Sequence, residues 1–216
     1  GEKRRVVIFF SDIRQFTTIS ENNTPENVVS FLNNFFEMAG SVLDKHGGII
    51  DKYIGDAILA IFGAPKSYED NALRAVSAAV EILQSLHQVN TEKLKLPDTG
   101  FQIGIGIHEG DAIVGNIGSK DKFDYTVIGD NVNLASRLES LTKHYQKSLL
   151  VSQEIHSQIE NKFFTLEVDR VKVKGKAEAT TLYSVEIENH DHLDEQAIRN
   201  YQKALSINQE LNLTEE

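Results

Sequence analysis

The chain has 216 residues, 40% hydrophobic and 25% charged, and a formal net charge of −10. That is enough for one globular domain with a sizeable core plus an appendage, and the acidic balance argues against a nucleic-acid binder, which shows a basic surplus or stripe. Cysteine is absent, which excludes disulfides and thiolate chemistry and fits a reducing, cytoplasmic setting; no apolar run approaches the roughly 20 residues of a membrane helix, so no membrane contact by this segment is expected.

The opening Gly1-Glu2-Lys3-Arg4-Arg5 carries no secretory core, and its abrupt start leads us to expect a piece of a longer protein. Residues 6–10 read as a buried strand, β-branched and aromatic. Thr24-Pro25-Glu26 opens a helix, with Thr at the N-cap, Pro at the first helical position and an acid in the first turn. Its apolar positions Val28, Phe31, Leu32, Phe35, Phe36, Ala39 and Leu43 recur at helical spacing, and Gly47-Gly48 stops it. Residues 49–53 and 57–62 make two strands around an Ile54-Gly55-Asp56 turn, a hairpin signal. A second amphipathic helix covers 70–86. Residues 101–108 alternate like a half-buried strand, and 111–116 return as another. This order matches a ferredoxin-like, split βαβ core, βαββαβ, so the fold class is α+β, an α/β sandwich.

The second half is less regular. Residues 124–128 read as a short strand, 131–142 as a helix, 149–151 as a strand and 152–159 as a short helix. A terminal strand pair, 163–173 and 180–187, is joined through Gly175. The domain is expected to span 1–187. From 188 to 216 the chain reads as a polar linker and an amphipathic helix, with Ala197, Ile198, Tyr201, Ala204, Leu205 and Leu211 at helical spacing.

Two carboxylates stand where an apolar run meets a loop: Asp12, ending Val6-Val7-Ile8-Phe9-Phe10-Ser11-Asp12, and Asp56, in the hairpin turn. Taken singly, each reads as a turn residue. Meeting at one rim, they make a hard-cation site suited to Mg²⁺ or Mn²⁺, and paired metals of this kind hold phosphates for in-line displacement.

The stretch Phe123-Asp124-Tyr125-Thr126-Val127-Ile128-Gly129-Asp130-Asn131-Val132-Asn133-Leu134-Ala135-Ser136-Arg137-Leu138-Glu139 resembles the signature of class III nucleotidyl cyclases. So do Phe10-Ser11-Asp12-Ile13-Arg14, Lys52-Tyr53-Ile54-Gly55-Asp56 and Val173-Lys174-Gly175-Lys176. The resemblance covers about residues 3–187. It implies two Mg²⁺ or Mn²⁺ ions per active site, held by Asp12, Asp56 and the backbone carbonyl of Ile13. It implies Lys52 and Thr126 as the base-selecting pair of a bacterial-type adenylyl cyclase. Asn133 would orient the ribose or triphosphate, Arg137 would stabilise the transition state, and Lys174 would take the terminal phosphate. Catalysis is thus expected from Asp12, Asp56, Asn133 and Arg137. The amides of the Arg14–Thr18 loop, Phe16 and Thr17 among them, could cradle phosphate or simply lead into the next helix.

The resemblance further implies ATP as substrate, a head-to-tail homodimer with composite sites, and a regulatory or sensor domain upstream. Lys52 is donor-only and suits adenine N1, while the Thr126 hydroxyl can accept from N6. Asn133 and Arg137, at i and i+4, share a helix face. Three readings compete: a guanylyl cyclase, which would be expected to carry an acid at position 52; a catalytically weak, regulatory cyclase-like module; and a diguanylate cyclase, whose acidic hairpin signature is missing. The seven His residues are dispersed apart from His190 and His192, without zinc spacing. Gly104, Gly106, Gly110 and Gly115 lie in strands and a hairpin rather than opening a helix, and do not form a dinucleotide fingerprint.

Overall fold

The computed structural model describes residues 1–92, 101–119, 123–172 and 179–187. Lys174 and the predicted tail helix lie outside the described residues. In chain order the elements are β1 (Glu2–Ile13), α1 (Phe16–Glu21), α2 (Pro25–Lys45), β2 (Ile49–Ile54), β3 (Ala57–Phe62) and α3 (Asn71–Glu92). There follow β4 (Ile103–Gly118), β5 (Phe123–Ile128), α4 (Asp130–His144), β6 (Leu149–Ser152), α5 (Gln153–Ile159), β7 (Thr165–Lys172) and β8 (Ala179–Val185).

The strands form one sheet in the order β2-β3-β1-β4-β6-β8-β7, with β5 paired to β4. Its first four strands are mutually antiparallel, which is the expected ferredoxin-like core. β6 joins β4 in parallel, and β7 and β8 close the edge as an antiparallel pair. No described helix is long and apolar enough to cross a membrane.

Both faces of the central strands are covered, which explains why Val6–Val7–Ile8–Phe9 is continuously apolar rather than alternating. Val7 and Phe9 join a core with Phe31, Phe35 and Leu43 of α2 and Ala75, Val76 and Ala79 of α3. Val6 and Ile8 point the other way, into a cluster with Leu59, Ile61 and Ala135 of α4. Phe101 anchors α2 by edge-on contacts with Phe31 and Phe35, at 4.5 and 5.8 Å between ring centres. Helix α2 begins as its sequence indicates: the Asn27 N–H donates to the Thr24 hydroxyl at 3.4 Å, with Pro25 in the first turn.

Two local expectations are corrected. The segments 101–108 and 111–116 are one unbroken strand, β4, because β1 pairs with it from Glu2↔Val114 to Ile13↔Ile103. That long ladder keeps the chain extended through Gly110, where a turn had been read. The Arg14–Thr18 segment is not simply a loop: after Gln15, at φ 57°, the chain coils into α1, and half-buried Phe16 packs against the main core.

Helix α4 rests on the opposite face of the sheet from α2 and α3, and glycine lets it come close. A Cβ at Gly106 would lie 2.3 Å from the Glu139 amide nitrogen and 2.4 Å from the Ala135 carbonyl oxygen. No side chain fits between helix backbone and strand at that point. This contact sets the height of α4 over the sheet, and hence the position of every functional side chain on it.

Candidate active site

In the β1–β3 ladder Ser11 stands opposite Ile58. Continuing that register brings the end of β1 level with the residues entering β3, so Asp12 and Asp56 meet. Asp56 follows Gly55 in a two-residue turn closed by the pair Ile54↔Ala57. Gly55 has φ +66°, the conformation such a hairpin asks of its first central residue. The two carboxyl groups lie close enough to interact. Burial first, then the neighbouring Asp56 carboxyl and its charge, push Asp12 up to about 6. The Ile13 N–H, donating to Asp12 Oδ1 at 3.0 Å, works in the opposite direction.

A third carboxylate faces this pair. Glu139, on the sheet-facing side of α4, is pushed up to about 7 by burial and then by the charge of Asp12. Ser140 and Arg14 oppose that shift. Arg14 is itself desolvated: its Nη2 donates to the Lys147 carbonyl, while its Nε is buried without a hydrogen-bond partner. The chemistry of the Asp12–Asp56 pair fits a divalent ion, whose charge would relieve the repulsion that raises Asp12. Among the described residues no group of three His, Cys, Asp or Glu side chains forms a metal cage. Two protein carboxylates alone match a site that shares its ion with substrate phosphates.

The second constellation lies where β2 meets β5. Thr126, 5% exposed, donates its hydroxyl to Asp51 Oδ2 at 2.8 Å. Lys52 Nζ stands 3.9 Å from Asp51 Oδ1. Lys52 and Thr126, 74 positions apart in the chain, are thus gathered around one buried acid. Asn133 and Arg137 are both exposed on α4. The neighbouring Asn131 is bound inward, with Oδ1 2.9 Å from His108 Nε2 and Nδ2 donating to the Asp111 carbonyl at 2.8 Å. Of the two Asn residues at the start of this helix, only Asn133 is therefore free to face a ligand. Thr17 is exposed in the first turn of α1, its carbonyl accepting from Ser20 Oγ at 2.8 Å.

A family profile described as the adenylate and guanylate cyclase catalytic domain matches residues 1–186. The chain belongs to this family. It is 40% identical over 189 residues to an adenylate cyclase of Anabaena cylindrica, covering 84% of this chain and 37% of that protein's length. Among solved structures it resembles the adenylyl cyclase CyaB of P. aeruginosa, with 32% identity and a TM-score of 0.76 over 88% of this chain and 97% of that one. It also resembles the guanylyl cyclase Cya2, with 36% identity and a TM-score of 0.78 over 89% of this chain and 97% of that one. The likeness establishes the family and reaches cyclases of both nucleobases, so the choice of base has to be argued from residues.

In this cyclase domain sequence reasoning missed Asp51, Glu139 and Arg14. Asp51 and Arg14 each adjoin or nearly adjoin a residue that was singled out. Adjacency gave no signal: Arg14 lies just beyond the end of β1, and Asp51 stands at an irregularity of β2. Glu139, two positions after Arg137, lies on a different side of the helix from it.

Proposed function

We propose that the domain converts ATP to 3′,5′-cyclic AMP and pyrophosphate at composite sites shared by two copies in a head-to-tail homodimer. The ribose 3′-hydroxyl gives its proton to Asp12, water or a substrate phosphate oxygen, O3′ forms a bond to the α-phosphorus, the bond from that phosphorus to the bridging oxygen breaks, and pyrophosphate leaves with the electron pair. The observation that carries the reading is the contact between Asp12 and Asp56 at the rim of the sheet. Two Mg²⁺ or Mn²⁺ ions bound there would neutralise the triphosphate and acidify the attacking hydroxyl. Asp12, Asp56 and the Ile13 carbonyl are assigned to hold them. Asn133 positions the ribose and triphosphate. Arg137 offers a fixed fork of donors to the pentacoordinate phosphate. Lys174 is assigned to the outer phosphates, together with the amides of Phe16 and Thr17.

Adenine is read by Lys52, which donates to N1, and by Thr126, which accepts from N6. Guanine presents N1–H and O6 at the same places and leaves both groups mismatched, at a cost of roughly 1–3 kcal/mol each. The dimer reading draws support from the exposed apolar side chains Tyr53, Ile54, Ile113, Phe123, Tyr125 and Ile128 on β2, its turn and the β4–β5 ribbon, since such clusters mark interaction surfaces. In the dimer one protomer supplies the carboxylates and the other supplies Lys52, Thr126, Asn133 and Arg137. A regulatory domain upstream, in a cytoplasmic setting, completes the reading.

The test is complementation. Asp12→Ala and Arg137→Ala proteins, each inactive alone, are mixed under subunit exchange and assayed for cyclic AMP with Mn²⁺ and ATP. Recovery of activity is expected from heterodimers that hold one intact site. A mixture as inactive as its parents rejects the shared site, and faster turnover of GTP than ATP by the unmodified protein rejects the base assignment.

A further inference from the structure

We infer that Asp51 is a specificity-determining positioning residue: it takes the single proton of the Thr126 hydroxyl and so presents that oxygen to the nucleobase as an acceptor only. The inference rests on the adenine reading above and deepens it.

Asp51 sits at an irregularity in the sheet. The β2–β3 register runs Ile50↔Ala60 and then Lys52↔Leu59, which leaves Asp51 as the extra residue of a bulge. A bulge breaks the alternation of side chains and re-aims one of them, and bulges gather beside active sites. The Asp51 side chain is 0% exposed while that of adjacent Lys52 is 44% exposed. A carboxylate buried so completely needs partners. Oδ2 has two, the Thr126 hydroxyl at 2.8 Å and the more distant Val127 N–H at 3.5 Å. Oδ1 makes no hydrogen bond, although Lys52 Nζ stands 3.9 Å from it.

A hydroxyl has one proton and two lone pairs. With that proton committed to Asp51, Thr126 Oγ1 has only lone pairs left to offer. An exocyclic amino group then finds a partner, whereas an exocyclic carbonyl meets lone pair with lone pair. Asp51 Oδ1 also stands 3.9 Å from the Lys52 ammonium, a donor-only group, at the same edge. One buried acid thereby sets an acceptor next to a donor. That pattern complements the amino group and N1 of adenine and is reversed for guanine. A purely structural tie between β2 and β5 predicts something different, because Asn at position 51 would keep the tie. Unlike a carboxylate, an Asn amide can also donate to Thr126, which releases the hydroxyl proton toward the ligand.

The experiment measures the ATP-to-GTP ratio of kcat/KM for wild type, Asp51→Asn, Thr126→Ser, Thr126→Val and the double variant Asp51→Asn/Thr126→Val. The same ratio is read without turnover as the affinities of the 2′,3′-dideoxy triphosphates, and folding is checked by thermal melting. Asp51→Asn is expected to lower the ratio roughly 10-fold. Thr126→Val lowers it comparably, Thr126→Ser preserves it, and the double variant falls no further than either single one. Asp51→Ser, smaller and able to donate or accept, serves if the Asn variant does not fold and shifts the ratio the same way. The inference is overturned if the Asp51 variants stay within about twofold of wild type, or if Asp51→Asn acts equally when Thr126 is already Val. A wild type that prefers GTP sinks the adenine reading together with the acceptor role of Thr126. An ATP-preferring wild type whose ratio the Asp51 variants do not move sinks Asp51 alone.

Discussion

The two acidic regions of this domain are built on opposite electrostatic plans. At the Asp12–Asp56 rim, carboxyl groups face one another and Glu139 adds a third, so Asp12 and Glu139 hold protons far above the usual carboxylate range. At the β2–β5 junction, Asp51 is fully buried yet ordered by Thr126 and Val127 and flanked by Lys52. The first arrangement is in electrostatic tension, which the divalent ions of the proposed function would relieve. In the second, one oxygen of Asp51, Oδ2, already has donors before any ligand binds. The difference separates acids whose nearest charged neighbours are other acids from an acid that already has donors, and the proposed roles of metal ligand and orienting group follow that division.

The sharpest way to break this contrast is to remove a carboxylate from the rim. Asp56→Asn is expected to lower cyclase activity by a factor on the order of 10²–10³. In cation-free buffer at pH 8 the same change should leave the melting temperature unchanged or raised, since it removes repulsion. A lower melting temperature there would show that the pair is a structural contact and not a strained one.

Next in size is the packing that positions α4. Gly106→Val drives a side chain into the helix backbone and is expected to cost about 1–3 kcal/mol or more, read as a lower urea midpoint. Activity should fall with it, because Asn133 and Arg137 ride on that helix. Unchanged activity in a folded Gly106→Val protein would detach those residues from the chemistry.

The third prediction is a pH profile. Asp12 shifts from 3.8 to about 6 and Glu139 from 4.5 to about 7, so the folded protein binds more protons than the unfolded chain across that window. The contribution of these two groups to stability without cations is therefore greatest at the acid end and declines as pH rises from about 4 through 7. Mn²⁺ should reverse the decline, raising the melting temperature more at pH 8 than at pH 5.5. Thr126→Ser, which keeps a hydroxyl on Asp51 at the other region, should leave this profile unmoved, and a change there would mean that the two regions are coupled within one chain.

The smallest expected effect is that of Glu139→Gln. It removes the part of the pH-dependent decline that falls near neutrality and leaves the part centred on Asp12, as a melt series from pH 5 to 8 would record. An unaltered slope between pH 6 and 8 would take Glu139 out of the electrostatic set.

Much of the architecture was legible because it is local. Thr24-Pro25 and Gly47-Gly48 bracket α2, the apolar runs mark β1 and β3, and Ile54-Gly55-Asp56 marks their hairpin partner. What went wrong was also local. Gly110 looked like a break in a strand that β1 holds straight, and residues after Arg14 looked like a loop where the chain coils into α1. At the site, Asp12 and Asp56 could be named because each ends or begins an apolar run. Asp51 could not, because nothing in Ile50-Asp51-Lys52 announces a bulge.

The sequence by itself determined the elements, their capping, the i and i+4 placement of Asn133 and Arg137, and the family motifs, since each depends on the geometry of a short stretch of backbone. Only the tertiary structure decided that Asp51 would reach Thr126, 75 residues away, and that Glu139 would face Asp12. Those meetings depend on strand register, one extra residue in β2, and the height of α4 over Gly106. These quantities are set by packing across the whole sheet and are written in no single segment.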